Sequence, residues 1–189
     1  MKFIFNLILL ISFGCYSQTS YFHISFEANV DHTFISDVSL VAFPQISGNL
    51  RETPYPNKHS KSLCVGVKAN LNERVFSSVL FGLENFDSPN VNTVPLRIQV
   101  GYTLPWLQKR VSPYAEYNYK IFMGSGTQSG HGIRLGLKIL TFTFGNQSHT
   151  LNTTLFYAKN RVGYGTLKTL NEQYKLNFKG LGIGFGITF

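Results

Sequence analysis

Residues 174–189 read YKLNFKGLGIGFGITF. Leu181, Ile183, Phe185, Ile187 and Phe189 fall on one side of an extended strand, and Gly182, Gly184, Gly186 and Thr188 on the other. The period is strictly two, which excludes a helix. A strand in a soluble sandwich turns its large residues to a core and its polar residues to water. Here the second side is nearly bare. A strand with lipid on one side and a crowded barrel lumen on the other wants this pattern.

The same alternation recurs along the chain. It predicts strands at residues 21–31, 61–72, 74–86, 94–104, 112–123, 131–144 and 149–161, with 174–189 as the eighth. In the first, Phe22, Ile24, Phe26, Ala28 and Val30 oppose His23, Ser25, Glu27, Asn29 and Asp31. Residues 32–60 hold Pro44, Gly48, Pro54, Pro56 and Asn57 and read as the longest irregular region. Within it, residues 33–43 are partly apolar and fit either an extension of the first strand or a local hairpin. Residues 87–93, 124–130 and 163–173 read as further loops. Connections one, three, five and seven then come out longer or more flexible, and two, four and six mostly short. Short turns at one end and longer loops at the other are the arrangement of outer-membrane barrels. The expected fold class is all-β: an eight-stranded antiparallel up-and-down transmembrane β-barrel.

Composition agrees. Aromatic residues reach 15%, with Phe 17, Tyr 10 and Gly 17, against 14% charged residues. A mean hydropathy of +0.00 is too polar for a bundle of membrane helices. No stretch approaches the ~20 apolar residues of a spanning helix.

Residues 1–17 read as a secretory signal peptide: Lys2, an apolar run over residues 3–13, then small residues with a cut after Ser17. Residues 18–189 form the barrel domain. Lipidation at Cys15 fits less well, because Ser12 stands where an aliphatic residue belongs. Removal of Cys15 leaves Cys64 alone, so no disulfide framework is available. The formal charge of +8 falls to +7 with the loss of Lys2. No recognition helix or clustered basic face points to nucleic acid; attraction to anionic lipid head groups fits better.

Charge decides which side of each strand faces inward. The apolar sides carry almost none. The opposite sides carry Glu27, Lys68, Glu84, Arg97, Glu116, Lys120, Arg134 and Lys138. With Asp31 added, four acidic residues face five basic ones, the near-match a narrow lumen demands. These residues are expected to form an ion-paired plug, with Glu84 against Arg97 across one hairpin and Glu116 against Lys138 across another. Arg97→Ala should then strand Glu84. Eight strands leave an interior just wide enough for side chains to fill. A narrow ion path along Lys120, Arg134 and Lys138 is the functional alternative. Lys159, Arg161, Lys175 and Lys179 fall on the apolar register at outer strand ends, where they can snorkel to lipid phosphates.

With the signal segment ending CYSQ and the terminal GLGIGFGITF, the chain resembles the small eight-stranded outer-membrane β-barrel proteins, in particular the porin-family-like barrels of Bacteroidetes-type bacteria. The resemblance implies a last strand read by the outer-membrane insertion machinery, with Phe185, Ile187 and Phe189 as that signal. It implies outer-membrane lipid and lipopolysaccharide as surroundings, a monomer, and a bacterial outer-membrane location.

No enzyme constellation is specific. Lipid A deacylases are barrels with a Ser/His/acid set, but their His-x-Ser-Asn pattern is not matched by His149-Thr150-Leu151-Asn152, with Ser148 and Glu172 available. His131 beside Ser129 reads as a loop residue. His23, His32, His59, His131 and His149 show no metal-ligand spacing, and no Gly-rich loop leads into a helix. No cofactor is expected. The expected function is a structural or surface-binding one, with Arg51, Lys58, His59 and Lys61 as a possible contact loop for anionic sugar lipids. A narrow channel, a lipid A-modifying enzyme and a soluble lipid-binding barrel are the alternatives.

Overall fold

A computed structural model describes residues 22–43, 58–87, 90–123, 129–145, 149–167 and 172–189. Eight strands follow in order: β1 (His23–Phe43), β2 (Lys58–Asn70), β3 (Val75–Asp87), β4 (Asn90–Tyr102), β5 (Val111–Phe122), β6 (Gly130–Phe144), β7 (His149–Leu167) and β8 (Glu172–Thr188). Each pairs antiparallel with the next, and β8 pairs with β1 to close the barrel. At the seam, Phe26 and Phe189 exchange both backbone hydrogen bonds, at 3.2 and 2.9 Å. Closure removes the unpaired edges that an open sheet would expose. The fold is the eight-stranded up-and-down barrel that the alternation predicts. Among the described residues, no helix is long and apolar enough to cross a membrane.

The near end of the barrel holds residues 71–74 and 103–110, together with Gly145 and Phe189. The first of these is a tight turn in which Asn72 Oδ1 accepts from the backbone N–H groups of Arg74 and Val75, at 2.8 and 2.7 Å. The second contains a short 3-10 turn, Pro105–Leu107, followed by Gln108 and Lys109 in the left-handed region. Lys109 is tied to Glu73 at 2.8 Å, which joins the two connections.

The far end departs from the expected pattern. β1 runs on to Phe43, so of the two readings of residues 33–43 the extension holds. β7 and β8 reach Leu167 and start at Glu172, where a loop over 163–173 was expected. β4 begins at Asn90, and the third connection shrinks to residues 88–89. Long and short connections therefore do not alternate; the asymmetry lies in strand length. Among the described residues, β1 pairs with β8 alone beyond Ile35, and β7 with β8 alone beyond Val162. Continued ladder pairing satisfies backbone groups there that loops would leave to water. The register shift between Ile35 and Asp37 is what leaves the two readings of residues 33–43 open in the sequence, because an irregularity resets the side-chain phase. Ser36 sits at the shift and donates to the Lys179 carbonyl at 3.2 Å.

The wall has two unlike sides. Phe26 and Leu181 are each 66% exposed on the outside, whereas Arg97 is 0% and Glu84 1% exposed inside. On β8 the inner side is Gly180, Gly182, Gly184 and Gly186. A Cβ on Gly182 would collide with the Phe156 ring, and one on Gly184 with Asp31 Oδ1. The bare side is where neighbouring side chains enter. The expected signal segment 1–17, Cys15, Arg51, Asn57, Asn146 and Ser148 lie outside the described residues.

Candidate functional site

Alternation on six strands delivers long polar side chains to one closed space. β1 contributes Glu27 and Asp31, β2 Lys68, β3 Glu84, β4 Arg97 and Gln99, β5 Glu116 and Lys120, and β6 Arg134 and Lys138. The structure places all eight charges of the expected network on the lumen side, and all but the half-buried Lys68 are fully buried.

Asp31 is the hub. Its Oδ2 accepts from Arg97 Nη1 at 2.5 Å, Arg134 Nη1 at 2.7 Å and Ser62 Oγ at 3.2 Å. Ser62 Oγ in turn accepts from Arg97 Nη2 at 2.7 Å. Glu116 Oε1 lies 3.4 Å from Arg134 Nε and 3.7 Å from Arg97 Nε, and its Oε2 accepts from Gln99 Nε2 at 2.6 Å. Two guanidinium groups thus share two carboxylates at mid-height. Arg134 also stacks over the Phe156 ring at 4.4 Å.

A smaller layer lies on either side. Toward the far end, Lys120 pairs with Glu84, whose Oε1 is 3.5 Å from Arg134 Nη2. Lys120 rides over Phe86, which stacks on Phe178 at 5.1 Å. Toward the near end, Lys138 pairs with Glu27, which also accepts from Ser78 Oγ at 3.0 Å and Asn29 Nδ2 at 3.1 Å. Lys68 and Lys138 both face the Phe76 ring, at 4.7 and 5.1 Å. Lys68 makes no ion pair among the described residues.

The pairing differs from the expected hairpin pairs. Arg97 is bonded to Asp31 and lies close to Glu116, not to Glu84. Lys138 meets Glu27, not Glu116. The register explains why: Arg97 stands across from Leu80 and Asn118, while Glu84 stands across from Thr93. Long side chains cross the lumen to distant strands instead. Arg97→Ala therefore takes one of two arginine partners from Asp31 and does not strand Glu84. Asp31, read as one inward acid among four, proves the centre; its in-phase place on the first strand is the signal for its position but not for its rank.

The other expected groups lie elsewhere. Phe185 and Phe189 are exposed on the outer side of β8, and His149 meets Phe189 edge-on at 5.7 Å. Lys58, His59 and Lys61 lie on β2, not in a loop, because that strand starts at Lys58. Lys159 and Lys179 stand across from each other on β7 and β8 with Arg161 beside them, all on the outer side toward the far end. Asn152 faces inward and donates to Thr150 Oγ1 at 3.3 Å, away from the outward His149. Among the described residues, no three His, Cys, Asp or Glu side chains converge as a metal site.

No protein-family model and no curated protein matches this sequence. Solved structures are similar to it in fold. The crystal structure of the outer membrane protein OprG from Pseudomonas aeruginosa aligns with a TM-score of 0.47 at 12% identity, over 90% of this chain and 98% of that one. Neisserial surface protein A aligns with a TM-score of 0.47 at 14% identity, over 86% and 97%. The solid-state NMR structure of outer membrane protein AlkL in DMPC bilayers aligns with a TM-score of 0.37 at 15% identity, over 92% and 93%.

In chemical terms the lumen is a fixed polar plug. Its carboxylates are held as ion-pair and hydrogen-bond partners.

Proposed function

We propose that this chain is a bacterial outer-membrane β-barrel protein with a side-chain-filled lumen and a structural or surface-binding role, acting as a monomer and not as an enzyme. The observation that carries the reading is the inversion of burial: a belt of large apolar side chains on the outside and a paired charge network inside. In water the belt would be a large liability; in lipid it is the required surface. A soluble lipid carrier would need the apolar side turned inward.

The far rim of the belt supports contact with anionic head groups, lipopolysaccharide included. Lys61, Lys159, Arg161 and Lys179 face outward there, at a height where cationic side chains gain from lipid phosphates. Contact with the insertion machinery falls to the outward Phe185, Ile187 and Phe189. The porin-family-like, Bacteroidetes-type assignment and export by residues 1–17 rest on the sequence at the two ends of the chain. The mid-height pairing of Asp31 with two arginines favours a plug over a conducting path.

Cell fractionation with a heat-shift gel tests the proposal. The expected result is recovery in the outer-membrane fraction, with different mobility before and after boiling. Recovery as a soluble periplasmic or secreted protein, with no heat shift, overturns it.

A further inference from the structure

The barrel brings together two histidines that lie 27 residues apart in sequence: His32 Nε2 is 3.2 Å from His59 Nδ1. Both face outward, because their neighbours Asp31, Thr33 and Ser60 face the lumen. The register sets His59 across from Phe34 and His32 across from Lys61, so the imidazoles are diagonal neighbours on one surface. Phe34 packs against both rings, with centroids 4.6 and 5.4 Å away, and limits their rotation.

The separation suits a metal. Two imidazole nitrogens each about 2.0–2.1 Å from a tetrahedral ion stand roughly 3.3 Å apart. In the free protein one ring donates a hydrogen to the other. A metal would replace that shared hydrogen from a point off the nitrogen–nitrogen line, so the rings need turn only slightly. Asp87 lies on β3 next to Phe86, the partner of Ser60, and contributes a nearby negative charge rather than a third ligand. Lys61, across from His32, is a nearby positive charge that disfavours the metal.

We propose that His32 and His59 form a binding site for a borderline divalent transition-metal ion of the zinc, nickel or copper class, with water completing the coordination. Imidazole nitrogen is the ligand these ions prefer, and an O-ligand cation such as Mg2+ or Ca2+ would not be held. The site clamps β1 to β2 at the height where β1 leaves the closed wall. No spacing rule on a single strand reveals it, because its ligands come from two strands that only the barrel register aligns.

The test is calorimetric titration of the full chain, refolded in detergent, with Zn2+ alone. One ion per chain in the micromolar range is expected. His32→Ala and His59→Ala should each weaken binding about tenfold or more, Asp87→Asn by less, and His131→Ala not at all. Unchanged binding in the His32→Ala/His59→Ala double variant, or equal loss in His131→Ala, overturns the proposal. The heat-shift gel verifies that each variant is folded. Cu2+ electron paramagnetic resonance on the unaltered protein gives a reading that needs no variant: coupling to two imidazole nitrogens is expected, and its absence overturns the site.

Discussion

The inner surface of the barrel is built from two opposite kinds of wall. On β8 it is four glycines in alternate positions, Gly180, Gly182, Gly184 and Gly186. On β4, β5 and β6 it is Arg97, Glu116, Arg134 and Lys138. Neither wall works alone. The charged side chains are long enough to cross the lumen only because the far wall is bare. The bare wall avoids a void only because Asn29, Asp31, Phe156 and Thr154 come to fill it. The difference teaches that a small barrel is filled by complementarity across its axis, so that a glycine and a charge several strands away belong to one packing unit.

The sharpest break of this complementarity is Gly184→Leu. A first carbon there already collides with Asp31 Oδ1 and comes within 2.5 Å of Thr154 Oγ1. A leucine would push Asp31 off both arginines, adding overpacking to unpaired charge. The cost should exceed about 4 kcal/mol, the sum expected of the two effects, and should appear as failure to give the heat-shifted folded band. A folded band of ordinary urea resistance would show that the lumen has slack.

Asp31→Asn tests the charged wall without changing volume. It leaves Arg97 and Arg134 with Glu116 and Glu84 as carboxylate neighbours, at 3.4 to 3.7 Å. Removing one member of a buried ion-pair set costs about 3–5 kcal/mol. A fall in the urea midpoint of the refolded protein is expected, larger than for Glu116→Gln. Equal effects would remove Asp31 from the centre of the network.

Leu135→Arg sharpens the contrast between inside and outside. Position 135 adjoins Arg134 on β6, yet one side chain faces lipid and the other the lumen. An arginine at mid-height on the lipid side should cost about 2–4 kcal/mol, read as a lower urea midpoint in vesicles. In detergent micelles, which deform around a charge, the loss should be smaller. An equal midpoint in vesicles would mean that lipid does not cover this side.

How much of this was legible in the sequence depends on what sets each feature. Strand interiors and the side each residue takes follow from alternation, a local property, so Glu27, Arg97 and Arg134 can be placed inward from neighbours two residues away. Strand ends are less legible. Register shifts at Ile35/Asp37 and Tyr164/Thr166 reset the phase, which is why residues 33–43 fit either an extension or a hairpin and the end of the β7–β8 hairpin reads as loop. Pro95 falls inside the strand that alternation predicts. Proline is rare in an interior strand, yet here it lies in β4, where no pairs join Gly82 and Leu83 to the facing residues of that strand. Ion-pair partners and the His32–His59 contact are illegible for another reason: closure and cross-lumen reach decide them, and neither is encoded in spacing along one hairpin.

The smallest effect is expected at Lys68, and it separates network members from bystanders. Lys68 lies on the same inner surface as the others, but it is half-buried near the near-end opening and faces the Phe76 ring rather than a carboxylate. Lys138 already holds Glu27 and shares that ring. Replacing Lys68 with Met keeps the stem that packs on Phe76 and removes a like charge from beside Lys138. Little pairing is lost, so the change in stability should stay within about 1 kcal/mol, and relief of repulsion makes a slight gain the expected sign. Urea midpoints of Lys68→Met and Lys138→Met measured side by side decide it. A loss at position 68 as large as at position 138 would make Lys68 a true partner of Glu27, and the near-end layer would then be a three-charge cluster rather than a pair with a cation at its rim.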